Sequence, residues 1–73
     1  MHVTSEESVL ALNKGDRVMY RRSTPDTGLE STVHKATVMY VWRYLDAIML
    51  KVKPDGEYET IDLWHEYDII DRI

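Results

Sequence analysis

The sequence predicts a mainly β protein: a small antiparallel barrel or strongly bent sheet, with a short N-terminal helix or flexible tail ahead of it. Three observations carry this expectation. Apolar residues alternate with polar ones over short, closely spaced runs, as half-buried strands do. A polar loop rich in turn formers separates the first run from the others, and KPDG, residues 53–56, sets Pro54 and Gly56 where a tight turn needs them. The chain has 73 residues and no cysteine, so it makes one domain near the size limit for a core without staples. That domain is expected over residues 1–73, with 1–13 as the helix or tail and 14–73 as the sheet.

Each element has a local reason. TSEESVLALN, residues 4–13, opens as a helix, with Thr4 placed to cap it, Glu7 as the reciprocal partner, and Val9, Leu10 and Leu12 as apolar contacts. NKG stops it. A helix this short is marginal alone, so the segment also reads as a mobile tail. DRVMYRR, residues 16–22, is the first strand, with Val18 and Tyr20 on one face, and STPDTGLEST is the polar loop. Residues 33–43 and 46–53 are the second and third strands, joined tightly near Tyr44 and Leu45. EYETIDL, residues 57–63, is the fourth, WHEYD gives one helical turn, and IIDRI ends the chain as a short strand. The expected core is Val18, Val38, Ile48, Leu50, Val52, Ile61, Leu63 and Ile70.

One stretch breaks the pattern of a one-sided sheet. ATVMYVWRYLDAIMLKVK, residues 36–53, holds three of the seven aromatics. Strict alternation turns Val38, Tyr40 and Trp42 to one face and Thr37, Met39 and Val41 to the other. Neither face is polar. Either both are buried, or one meets a partner.

The run KGDRVMY, KATVMYV, DAIMLKV, ETIDL and a helical turn before the last strand resembles SH3-like and Tudor-like barrels over residues 14–71. Such barrels host unrelated activities, so the resemblance speaks to fold and hardly to function. A generic SH3-like interaction module is one reading it leaves open. A Tudor-like reader is another, with Tyr40, Trp42, Tyr58 and Trp64 as an aromatic cage for methylated Lys or Arg peptides. The turn KPDGEYET lacks the Asn that Tudor domains usually carry there, and with no Phe in the chain, Tyr and Trp are also needed for core.

Catalysis is not expected. There is no GxSxG, no Gly-rich phosphate loop and no cysteine nucleophile, and only three glycines in all. His65 stands among Asp62, Glu66 and Asp68, but without a second histidine at helical spacing this reads as a solvated acidic turn rather than a metal site. No cofactor is expected. The N-terminus is polar and acidic, unlike a signal peptide, and the apolar runs are too short to span a bilayer. Without cysteines, these features fit a cytoplasmic protein, monomeric when free.

Charge points to polypeptide partners. The net charge is −4. Residues 1–44 carry six Lys and Arg against five Asp and Glu, a balance of +1, whereas residues 45–73 carry three against eight, a balance of −5. An acidic half suits a basic protein patch, or simply keeps a small protein soluble. Lys14, Arg17, Arg21 and Arg22 gather around Tyr20 and offer an auxiliary contact to nucleic acid, too small for tight unaided binding. Met19, Met39 and Met49 fall on strand faces opposite the best aliphatic positions, and with Val41 they are expected to form one adaptable patch. The N-terminal segment folding back over that patch is the competing expectation.

From MHVTSEESVLALNKGD to the acidic IIDRI end, in length and acidity, the chain resembles the small RNA polymerase-binding transcription inhibitors and antiterminators of lytic phages, such as that of a Xanthomonas phage. The resemblance implies binding near the β′ N-terminus and β flap of host polymerase, in the host cytoplasm. It also implies inhibited initiation at host promoters and read-through of intrinsic terminators. Apart from the resemblance, Val3, Glu6 and Glu7 of the acidic N-terminal segment are expected to meet a basic stretch of the partner.

Overall fold

The computed structural model describes residues 6–24, 28–65 and 67–73. One helix, α1 (Glu6–Leu10), precedes seven strands: β1 (Arg17–Arg21), β2 (Ser23–Thr24), β3 (Gly28–Leu29), β4 (His34–Tyr44), β5 (Ala47–Pro54), β6 (Ile61–Trp64) and β7 (Ile69–Arg72). Five of them form one antiparallel sheet in the order β6-β5-β4-β1-β7, while β2 and β3, two residues each, pair antiparallel in a separate two-stranded sheet. The last strand returns to pair with the first. The sheet stays open, so of the two expected forms it is the bent sheet and not the closed barrel.

Alternation decides which residues face inward. In β1, Val18 and Tyr20 are buried between half-exposed neighbours. In β5, Ile48, Leu50 and Val52 fill the core, opposite Leu63 of β6 and Val38 of β4. All eight expected core positions lie there, Ile61 partly buried at the rim. Tyr20, Ala36, Val9 and Leu12 complete it.

The last two of these belong to the N-terminal segment. Val9 on α1 and Leu12, two residues past its end and tied back by its N–H to the Val9 carbonyl, both enter the core, where α1 packs against β4 and β5, while Leu10 remains exposed. Over residues 6–12 the segment packs against the sheet and contributes to the core. Its exit is fixed by a turn in which the Asn13 N–H donates to the Asp16 carboxylate at 2.8 Å and Asp16 N–H returns to the Asn13 carbonyl. Gly15, at φ 96°, makes that turn feasible and donates its own N–H to the Val38 carbonyl. Thr4, the expected cap, lies outside the described residues.

A β-bulge corrects the expected faces of β4. Pairing with β5 runs Ala36–Pro54, Thr37–Lys53, Val38–Val52, and then resumes at Tyr40–Lys51, leaving Met39 as an extra residue. One inserted residue reverses the parity of everything beyond it. Val38 therefore points into the core, as does Val41, and Tyr40 and Trp42 turn to the outside. The expected grouping of Val38 with Tyr40 and Trp42 fails for this reason.

Two further expectations are corrected. Residues 57–60 are not strand: Gly56, at φ 81°, turns the chain after Pro54, and pairing with β5 begins only at Ile61. The WHEYD turn is not a freely solvated acidic loop either. Asp68 is buried, and its carboxylate accepts the backbone N–H of Trp64 at 2.8 Å and of Ser23 at 3.0 Å. Those two bonds tie the end of β6 to the start of β2.

Candidate functional site

The bulge builds a continuous aromatic surface on the outer face of β4, β5 and β6. Directly opposed residues in antiparallel strands share a face. Two rows result: Tyr40–Lys51–Asp62 and Trp42–Met49–Trp64. The rings of Tyr40 and Trp42 approach to 5.4 Å at 37°, and Trp64 meets Tyr67 at 6.1 Å. Met49 lies between the two tryptophans in the second row and is only 5% exposed, yet it lies outside the main core cluster. It is a second, small apolar centre, covered by side chains that are themselves open to solvent. Tyr40 is 60% exposed.

Charge frames this surface. The Lys51 ammonium sits 5.9 Å from the centre of the Trp42 ring and 3.7 Å from the Asp62 carboxylate. With Tyr40 and Trp42 it lines a shallow recess of about 260 Å³. On the same face, Arg17 donates to both carboxylate oxygens of Asp55 and to the Thr37 hydroxyl at 2.7 Å. That fork holds the Asp55 carboxyl below its usual range and raises the Arg17 guanidinium. Lys35 and Lys53 extend the cationic side of the face along β4 and β5, by alternation from Thr37 and Lys51.

At the open end the surface continues to the β4–β5 hairpin. Tyr44 pairs with Ala47 across a two-residue connection, Leu45 and Asp46. Leu45 stands at φ 57° and 85% exposed, a left-handed position where Gly or Asn is the usual occupant. A large apolar side chain is held out at the tip.

The expected site residues fare differently. Met19, Met39, Val41 and Met49 do not form one patch: Met19 opposes Lys35 and Asp71, Met39 is the bulge residue, Val41 packs against the core, and only Met49 joins the aromatic rows. Of the expected cage, Tyr40 and Trp42 converge and Trp64 lies one strand beyond Met49, but Tyr58 is 99% exposed in the segment between β5 and β6 and joins no ring contact. Lys14, Arg17, Arg21 and Arg22 do not cluster. Arg17 is committed to Asp55, Arg21 shares its face, and Arg22 lies at a groove on the other side with Lys14 back in the turn. Val3 lies outside the described residues, as does the side chain of Glu6. Glu7 is exposed on α1.

No group of metal-ligating side chains occurs among the described residues. His65 Nδ1 is buried without a hydrogen-bond partner, while its backbone N–H reaches the Ile48 carbonyl. Sequence reasoning missed Lys51 as part of the aromatic surface, and Leu45 as its exposed tip. The signal for Leu45 was present: a tight hairpin lacking any Gly or Asn at its turn.

Comparison with protein-family models, curated proteins and solved structures found no match to this chain.

Proposed function

We propose that the protein is a non-enzymatic regulator that binds another protein through its outer aromatic face, and that the partner is bacterial RNA polymerase. The face carries the first half of this reading. Interface cores favour Trp, Tyr and Met over charged residues, and hot spots gather where aromatic anchors exclude water. Trp42 and Trp64 over Met49, rimmed by Lys51 and Asp62, have that composition and arrangement. The identity of the partner rests on the resemblance of the whole chain to small phage inhibitors and antiterminators, and places the action in the host cytoplasm. Glu7, with Val3 and Glu6, belongs to the proposal as an acidic contact for a basic stretch of the polymerase.

The test is a titration of purified bacterial RNA polymerase, following intrinsic tryptophan fluorescence. Saturable binding is expected, and Trp64→Ala is expected to weaken it by about thirtyfold, the effect of losing one hot spot. A Glu7→Lys variant should reduce the salt dependence of binding without moving the melting midpoint. In a transcription assay the protein should lower initiation and raise read-through at an intrinsic terminator. Failure to bind polymerase removes the partner, whereas binding unaffected by Trp64→Ala removes the face.

A reader of methylated peptides is the second reading, favoured by the convergence of Tyr40 and Trp42. The chain's own Lys51 already occupies the cationic position over Trp42, so a methylammonium has to displace it. Binding of a trimethyl-lysine peptide, stronger than that of its unmodified form, would favour this reading over the first.

A further inference from the structure

A second site lies on the other face of the sheet, where β1 meets β4. Tyr20 opposes His34, and their rings stack at 5.0 Å and 26°. Tyr20 is only 4% exposed, and it lines a groove of about 290 Å³. Its hydroxyl makes no hydrogen bond to another described residue. Burial raises the pKa of that hydroxyl, and the charges of Glu30, Glu57 and Asp68 raise it further against the opposing effect of Arg22.

The groove exists because residues 57–60 leave the sheet. Had they continued β6 beyond Ile61, they would lie along the edge of β5. Instead they carry Glu57 and Glu59 to the rim, above a floor that includes Pro54 and Ile61. Glu30 is already engaged, accepting the Arg22 N–H at 2.7 Å and facing His34 Nε2 at 3.2 Å. The Glu57 and Glu59 carboxylates have no hydrogen-bond or ion-pair partner among the described residues. Two unused carboxylates therefore stand over an apolar slot with an unused phenolic oxygen inside it, and Arg22 is the one formal cation on the rim.

We propose that this groove takes an arginine side chain of a partner polypeptide. Its volume falls just below the roughly 300–1,000 Å³ typical of small-molecule sites, which suits a single side chain. The aliphatic stem lies on Pro54 and Ile61, leaving the charged head among oxygens. A guanidinium offers five donors in a plane, enough for Glu57, Glu59 and the Tyr20 hydroxyl together. An ammonium offers three from a point and is more strongly hydrated. The site is independent of the aromatic face, which lies on the opposite side of the sheet.

The experiment is an amide-shift titration of the isotope-labelled full chain with a capped glycine pentapeptide bearing one central arginine. Matched peptides bear lysine or citrulline. Saturable shifts are expected at Tyr20, Glu57, Glu59 and Ile61, strongest for arginine, weaker for lysine and absent for citrulline. The double variant Glu57→Gln/Glu59→Gln should lose about tenfold in affinity, in keeping with two exposed ion pairs, while its other amide shifts stay in place. Equal binding of citrulline or lysine would overturn the assignment of a guanidinium. Shifts mapping elsewhere, an unaffected double variant, or no shift up to about 10 mM peptide, the weak end of single-contact affinity, would overturn the site.

Discussion

Asp68 is the residue whose environment departs furthest from what its neighbours in sequence imply. It sits in an acidic run, yet its carboxylate is buried and accepts two backbone N–H groups from separate segments. Asp68→Ala strands both donors and should destabilise by about 1–3 kcal/mol, read as a lower urea midpoint with unchanged slope. Three carboxylates nearer the surface act through pH instead. The Asn13 N–H lowers Asp16 from 3.8, the Arg22 N–H lowers Glu30 from 4.5, and Arg17 lowers Asp55 from 3.8. Each is less basic folded than unfolded, so the native state binds fewer protons. The stability they contribute is present above the unfolded values and is lost as pH falls through the lowered ones. The urea midpoint should hold down to about pH 5 and decline below it, with a smaller decline in Asp55→Asn. A midpoint that rises on acidification would contradict the assigned directions. None of these partners was legible in the sequence, because each bond joins a side chain to a backbone group or to a residue placed by the turn.

At the scale of elements, alternation revealed most of the sheet. Val18, Ile48, Leu50, Val52, Leu63 and Ile70 are core because they hold the inward parity of their runs, although β5 also buries Ala47 and Met49 on its other parity. β4 keeps one inward parity only up to Val38. Nothing in TVMYVW announces an extra residue, since both parities are apolar and either register buries something. The bulge at Met39 is a tertiary choice: it lets Val38 and Val41 both face inward and sends Tyr40 and Trp42 out. Deleting Met39 should restore strict pairing and force Tyr40 and Trp42 toward the core in place of Val41. The deletion should abolish cooperative unfolding, whereas Met39→Ala should keep the transition. A deletion variant that melts like the parent would show that the bulge does not set the faces. The helix was legible as helix or tail but not as core, because five helical residues reveal an apolar side without revealing what it meets.

For the whole molecule, the charge difference read between the two halves of the chain does not carry over to the two faces of the bent sheet, each of which draws on both halves. Lys35, Lys51 and Lys53 accompany the aromatic rows outside, and Glu30, Glu57 and Glu59 rim the groove on the core side. A chain of 73 residues has little surface, so two chemically distinct faces are an economical way to grip one large partner at two points. The claim that matters most is that the outer aromatic face is the docking surface. Hydrogen exchange of the protein, free and in complex with purified bacterial RNA polymerase, tests it directly. Protection is expected over residues 40–42, 49–51 and 62–67, with residues 57–60 changing separately if the groove is also filled. Protection confined to α1 and the preceding residues, with the outer strands exchanging as in the free protein, would contradict it.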